Sequence, residues 1–129
     1  MRLLLDTHAL LWWLVDDERL PRPAHQAIAE GGNNIFVSAA SIWEIATKHR
    51  IGKLAGVSAI ISDLDAVLLG EGFKELSITV KHGRAAGMLP GLHRDPFDRM
   101  LIAQAMIEGM TLVSNEQLFD GYGVSRLWQ

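Results

Sequence analysis

"DPFDRMLIAQAMIEGMTLVS", residues 95–114, carries a helix start, a helix stop and the strand that follows. Asp95 before Pro96 suits an N-cap with proline at the first helical position, and Asp98 falls at the third, completing a box-like cap. Apolar residues then recur at helical spacing until Gly109, and "MTLVS" (110–114) reads as a strand. A helix feeding straight into a strand is half of a crossover unit, so the question is whether the rest of the chain repeats it.

It does. "RLLL" (2–5) is a continuous apolar run suited to a strand covered on both faces, and "HALLWWLV" (8–15) reads as the helix after it. A second helix is expected over 24–30, ended by Gly31-Gly32, then a strand "NIFVS" (34–38). Ser38 or Ser41 is available to cap the helix "AASIWEIATKHR". Further on, 58–69 reads as one helix, "ELSITV" (75–80) as a weaker strand and 80–87 as a helix, while "GVSRLWQ" (123–129) supplies a short edge strand. Strands separated by helices pair in parallel through crossovers. The expectation is therefore an α/β fold, a three-layer α/β/α arrangement around a central parallel sheet, with residues 1–129 as a single domain.

Composition narrows the chemistry. Of 129 residues, 49% are hydrophobic and 21% charged, an ordinary globular balance, and a net charge of −3 gives no global field to attract nucleic acid. With no cysteine, disulfides, zinc-thiolate sites and thiol catalysis are excluded, and a cytoplasmic location is expected. The apolar N-terminal stretch is interrupted by Asp6 and His8, so neither a signal peptide nor a membrane span is expected. The five histidines show no zinc spacing and most read as surface or helix-end residues, while the four tryptophans read mainly as core.

Ligands of open parallel sheets collect beyond the carboxyl ends of the strands. Strand 2–5 runs into Asp6, strand 34–38 ends at Ser38, and the late strand runs into Ser114-Asn115-Glu116. A helix entering a parallel strand starts at that same edge, which brings Asp95 and Asp98 there. Glu44 lies six residues past Ser38, about 9 Å along its helix at about 1.5 Å per residue, and its side chain can lean back. Each acid also has a structural reading: Asp6 and Asp95 as caps, Glu44 paired with Lys48 on a wet face, Glu116 starting a short turn. Together they are costly. Two unit charges ~6 Å apart at an effective dielectric of ~20 repel by about 3 kcal/mol, and four such carboxylates sum to about 15 kcal/mol. Some must protonate, or a cation must sit among them. Oxygen donors without cysteine or paired histidines select Mg²⁺ or Mn²⁺. Such a site suits phosphodiester hydrolysis, with Lys48, Arg50, Lys53, Arg94 and Arg99 as candidates for a basic lip that binds phosphates.

"LLLDTHALLWWL", "SAASIWEIATKHRIGKL" and "HRDPFDRMLIAQAMIEGMTLVSNEQLF" together resemble the PIN-domain family, and most of all its VapC-type toxins of prokaryotic toxin–antitoxin pairs. The resemblance covers nearly the whole chain in order. It implies a Mg²⁺- or Mn²⁺-dependent endoribonuclease, a homodimer and a cognate antitoxin that blocks the site. Carried over residue by residue, Asp6 matches the first acidic position, Glu44 the second and Asp98 the third, with Asp95 as a near neighbour. Asp6 and Asp98 are then expected as direct metal ligands, with Glu44 aiding a ligand or water. The fourth position, usually aspartate, is here Glu116; one methylene longer, it could act through water, or Asn115 could substitute in part. Ser114 matches a hydroxyl that orients ligands. Two other readings compete: a catalytically weak PIN-fold module that binds a partner protein, and a phosphotransfer domain with Asp6 as nucleophile. The second is weakened because "DTH" has no aspartate two residues on.

Overall fold

The computed structural model describes residues 1–91 and 95–129. Five strands form one all-parallel sheet: β1 (Arg2–Leu5), β2 (Asn34–Ser38), β3 (Lys74–Leu76), β4 (Thr111–Val113) and β5 (Arg126–Leu127), in the order β3-β2-β1-β4-β5. Among the described residues, seven helices connect the first four strands: α1 (Thr7–Leu14), α2 (Arg22–Ala29), α3 (Ala39–Arg50), α4 (Ser58–Ile61), α5 (Leu64–Glu71), α6 (Val80–Met88) and α7 (Pro96–Glu108). A 3-10 turn, Gln117–Tyr122, links β4 to β5.

The apolar run in β1 makes it the central strand. Leu3 and Leu5 enter one core with Ile35 and Val37 of β2 and Val113 of β4, packed by Leu10 of α1, Ala24 and Ile28 of α2, Ile45 of α3 and Leu68 of α5. Leu4 faces the other way, into a second core with Leu112 of β4 and Leu101, Ile102 and Ala105 of α7. Alternation along a strand thus sorts the two faces of the sheet, each covered by helices. This is the expected three-layer α/β/α arrangement.

The chain proceeds from β1 outward through β2 to β3, then crosses to the opposite side for β4 and β5. The strand order therefore reverses between β1 and β4, where open sheets leave a crevice at the carboxyl edge. β1 and β4 are in register as Leu5↔Val113, so Asp6 and Ser114 leave the sheet side by side.

Two expectations are corrected. The helix over 58–69 is broken: Ser62 donates its hydroxyl to the Ala59 carbonyl, and Asp63 turns out of helical geometry to cap α5. Such short polar side chains compete with the helix for backbone groups. The strand "ELSITV" is confined to Lys74–Leu76, because Thr79 caps α6 in a reciprocal box with His82. Val80, apolar but the first residue of that helix, is 92% exposed.

Candidate functional site

Asp6 leaves β1 and its Oδ1 accepts the Ala9 amide at 2.8 Å, so it caps α1. Its side chain also accepts a hydrogen bond from the Ser114 hydroxyl at the end of β4, and that same Ser114 oxygen accepts the Glu116 amide at 2.9 Å. Asp6 is only 5% exposed. Burial pushes its pKa above the ordinary aspartate value, reinforced by the Glu44 charge; the Ser114 and Ala9 hydrogen bonds and His8 oppose the rise.

Glu44 sits on α3, capped by Ser38, whose oxygen accepts the Ala40 amide at 3.0 Å. The wet-face reading of Glu44 does not hold: the residue is 4% exposed, on a helix that packs against α1 and α7. Thr7 donates its hydroxyl to Glu44 Oε1 at 2.6 Å, and the Lys48 ammonium pairs with Oε2. The Lys48 pKa is held above its ordinary value, first by that hydrogen bond and further by the charges of Asp95 and Asp98. Lys48 is thus a positive charge among the acids, a compensation that a count of carboxylates alone omits.

Asp95 caps α7, with Oδ1 accepting the Phe97 and Asp98 amides at 2.9 and 3.1 Å. Glu116 caps the 3-10 turn by accepting the Leu118 amide at 3.1 Å. Asp6, Glu44, Lys48, Asp95, Asp98, Asn115 and Glu116 nevertheless all line one cavity of about 220 Å³ at the reversal point of the sheet. Acids from four separate segments therefore share a space. Among the described residues, no three histidine, aspartate or glutamate side chains are close enough to form a ready-made metal cage. The carboxylates that line the cavity are nonetheless hard oxygen donors of the kind that suits Mg²⁺ or Mn²⁺.

The basic lip is dispersed. Lys48 lines the cavity; Arg50 is exposed at the end of α3; Arg99 donates to the carbonyls of Ala86 and Leu89. Arg94 lies outside the described residues.

Three further residues line the same cavity: Thr7, His8 and Trp12. The signal was available in the sequence. A helix starting right after Asp6 puts its first turn at the same edge, and positions 8 and 12, four apart, share one helix face. Trp43, expected in the core, is 62% exposed and stacks edge-on against Phe97, ring centroids 4.9 Å apart. His82, by contrast, is 1% exposed: its Nε2 lies 2.9 Å from Glu108 and its Nδ1 accepts the Thr79 amide.

Compared with known proteins, residues 3–124 match the model of the PIN domain. The chain is 31% identical over 115 residues to Ribonuclease VapC22 of Mycobacterium tuberculosis, covering 88% of this chain and 86% of that one. Its fold is similar to VapBC2 from Rickettsia felis, solved bound to a promoter DNA fragment (TM-score 0.73, 19% identity, all of both chains). It is similar also to Mycobacterium tuberculosis VapC20, described as a sarcin-ricin loop cleaving toxin (TM-score 0.72, 13% identity, 98% of this chain and 99% of that one).

Proposed function

The chain belongs to the PIN domain family, and from that premise we propose that it is a metal-dependent endoribonuclease, the toxin of a pair whose antitoxin blocks its site. The observation that carries the reading is the meeting of Asp6, Glu44, Asp98 and Glu116, from four segments, in one cavity at the sheet's reversal point. The ribonuclease named among its relatives agrees with it, and the chain shares its fold with a sarcin-ricin loop cleaving toxin.

Asp6 and Asp98 would hold the ion, Mg²⁺ or Mn²⁺, with Glu44 and Glu116 at its periphery. A divalent cation bound there supplies charge neutralisation at the phosphate and a water of lowered pKa. The chain's own groups do the positioning. Ser114 fixes the Asp6 carboxylate, and Thr7 and Lys48 hold the two oxygens of Glu44, so neither acid is free to swing. Lys48 also places a positive charge where a phosphodiester must approach a group of anions, which lowers the repulsion it meets. Arg50, exposed at the end of α3, would add a phosphate contact, and Arg94 and Arg99 remain sequence candidates for the same role. The reading includes a cytoplasmic homodimer, and no described helix is long and apolar enough to cross a membrane.

One observation favours the second reading, a weakly catalytic binding module: Glu116 is engaged in capping the turn after β4. Incubating structured RNA with the protein and Mn²⁺ separates the two. A ribonuclease gives defined fragments, lost in Asp6→Asn and Asp98→Asn; a binding module gives none while retaining its protein partner.

A further inference from the structure

A second cavity, of about 360 Å³, adjoins the carboxylate cavity and is lined by Asn115, Gln117, Arg126, Trp128 and Gln129. The two share Asn115 as a common wall. They are also joined through their tryptophans: Trp12 of the first packs against Trp128 of the second, with ring centroids 5.8 Å apart and planes inclined at 51°. The pair is held from behind. The Arg19 guanidinium lies 4.8 Å from the Trp12 ring centre, and both indoles pack against the core formed around Leu3 and Leu5.

The polar lining has an unusual composition for a place beside an anionic site. Among the described residues Arg126 is the one charged side chain of this lining, and that charge is already matched: its guanidinium binds both carboxylate oxygens of Asp120 and the Ser114 carbonyl. What remains is neutral, the side-chain amides of Asn115, Gln117 and Gln129, none of which has a hydrogen-bond partner among the described residues. Uncommitted amides offer donor and acceptor together, which matches the edge of a base. Half-buried Trp128 presents part of its indole to this cavity, and an aromatic ring held in place is a surface on which a base can stack.

We propose that Trp128, with the amides of Asn115, Gln117 and Gln129, forms a subsite for one unpaired nucleobase, holding the strand while a neighbouring phosphate lies over the carboxylate cavity. The ligand's identity rests on the ribonuclease reading, which the subsite deepens: the substrate is RNA with a splayed, single-stranded base at the cut. Bases within an A-form duplex are stacked and cannot enter.

The test is equilibrium binding of an unstructured eight-nucleotide RNA to the full chain carrying Asp98→Asn, which prevents cleavage, measured by fluorescence anisotropy in Mg²⁺. Trp128→Leu, which keeps an apolar side chain but no ring, raises Kd by about tenfold to a hundredfold, the range of a lost base stack, whereas Trp128→Phe stays within about threefold. On the Trp128-intact protein, an abasic scan of the same RNA finds one position whose loss costs as much. The abasic and Trp128→Leu losses do not add, because both remove one contact. The scan alters no residue, and exposed Gln129→Ala gives a milder loss, so the test survives poor folding of Trp128→Leu. Unchanged Kd in Trp128→Leu and Gln129→Ala with no sensitive abasic position overturns the subsite, as do additive losses. The two readings fail separately. Cleavage by the unaltered protein that is insensitive to Trp128 removes the subsite alone. Trp128-dependent binding with no cleavage removes the ribonuclease reading alone.

Discussion

Asp6 is the residue at which stability and function pull apart. Its raised pKa means that the folded chain holds a proton more tightly than the unfolded one, where the group has its ordinary value of 3.8. The folded state then binds more protons than the unfolded state as pH rises past that ordinary value, so this residue's contribution to stability falls until the folded pKa is passed. Without divalent ions, Asp6→Asn, which can still accept the Ala9 amide, is expected to raise the melting temperature at neutral pH. The gain shrinks as pH falls toward the ordinary aspartate pKa. The same variant is expected to lose Mn²⁺-dependent cleavage in an RNA digestion assay. Asp95 and Asp98 divide in the opposite sense. Asp95→Ala removes a cap seen at two amides and should cost about 1 kcal/mol in a denaturation curve. Asp98→Asn should abolish Mn²⁺-dependent cleavage. These acids were legible because each stands at an element boundary, where sequence spacing is informative. The surroundings of Glu44 were not, because the i,i+4 spacing to Lys48 says nothing of the helices that bury it.

Elements were legible where one signal dominated. The run Leu3-Leu4-Leu5 could only be buried on both faces, and Pro96 with Gly109 bracketed α7. They were not legible where side chains compete with the backbone, as at Ser62-Asp63 and at Thr79. The Thr79 cap uses His82 in the place usually taken by glutamate or glutamine, so the pattern that marks such a start was absent. Trp43 misled for a related reason: its apolar character says burial, but its helix turns that face outward. At this scale the left-handed Gly109, φ 65°, is the sharpest test. A Cβ there meets nothing within 4 Å, so the cost of Gly109→Ala is conformational alone, about 1 kcal/mol. Chemical denaturation should show that loss, with kcat for RNA cleavage unchanged because β4 keeps its register with β1.

For the whole molecule, topology does what no single segment can. Chain reversal between β1 and β4 opens one crevice at the carboxyl edge, and the starts of α1 and α7 deliver their acids to it. A fold that gathers carboxylates in this way is stabilised by whatever neutralises them, so Mn²⁺ should raise the melting temperature. At a free concentration about 100 times its Kd the gain is about 2.7 kcal/mol, reversed by EDTA. Lys48 already offsets part of the repulsion, so the ion adds to a charge balance that the chain has begun. The most direct measurement is a Mn²⁺ titration followed by electron paramagnetic resonance, comparing the unaltered chain with Asp6→Asn and Asp98→Asn. Saturable binding that is lost in both variants, with folding intact, is the predicted result. Equal Mn²⁺ binding in all three proteins, or none in the unaltered chain, would contradict the account.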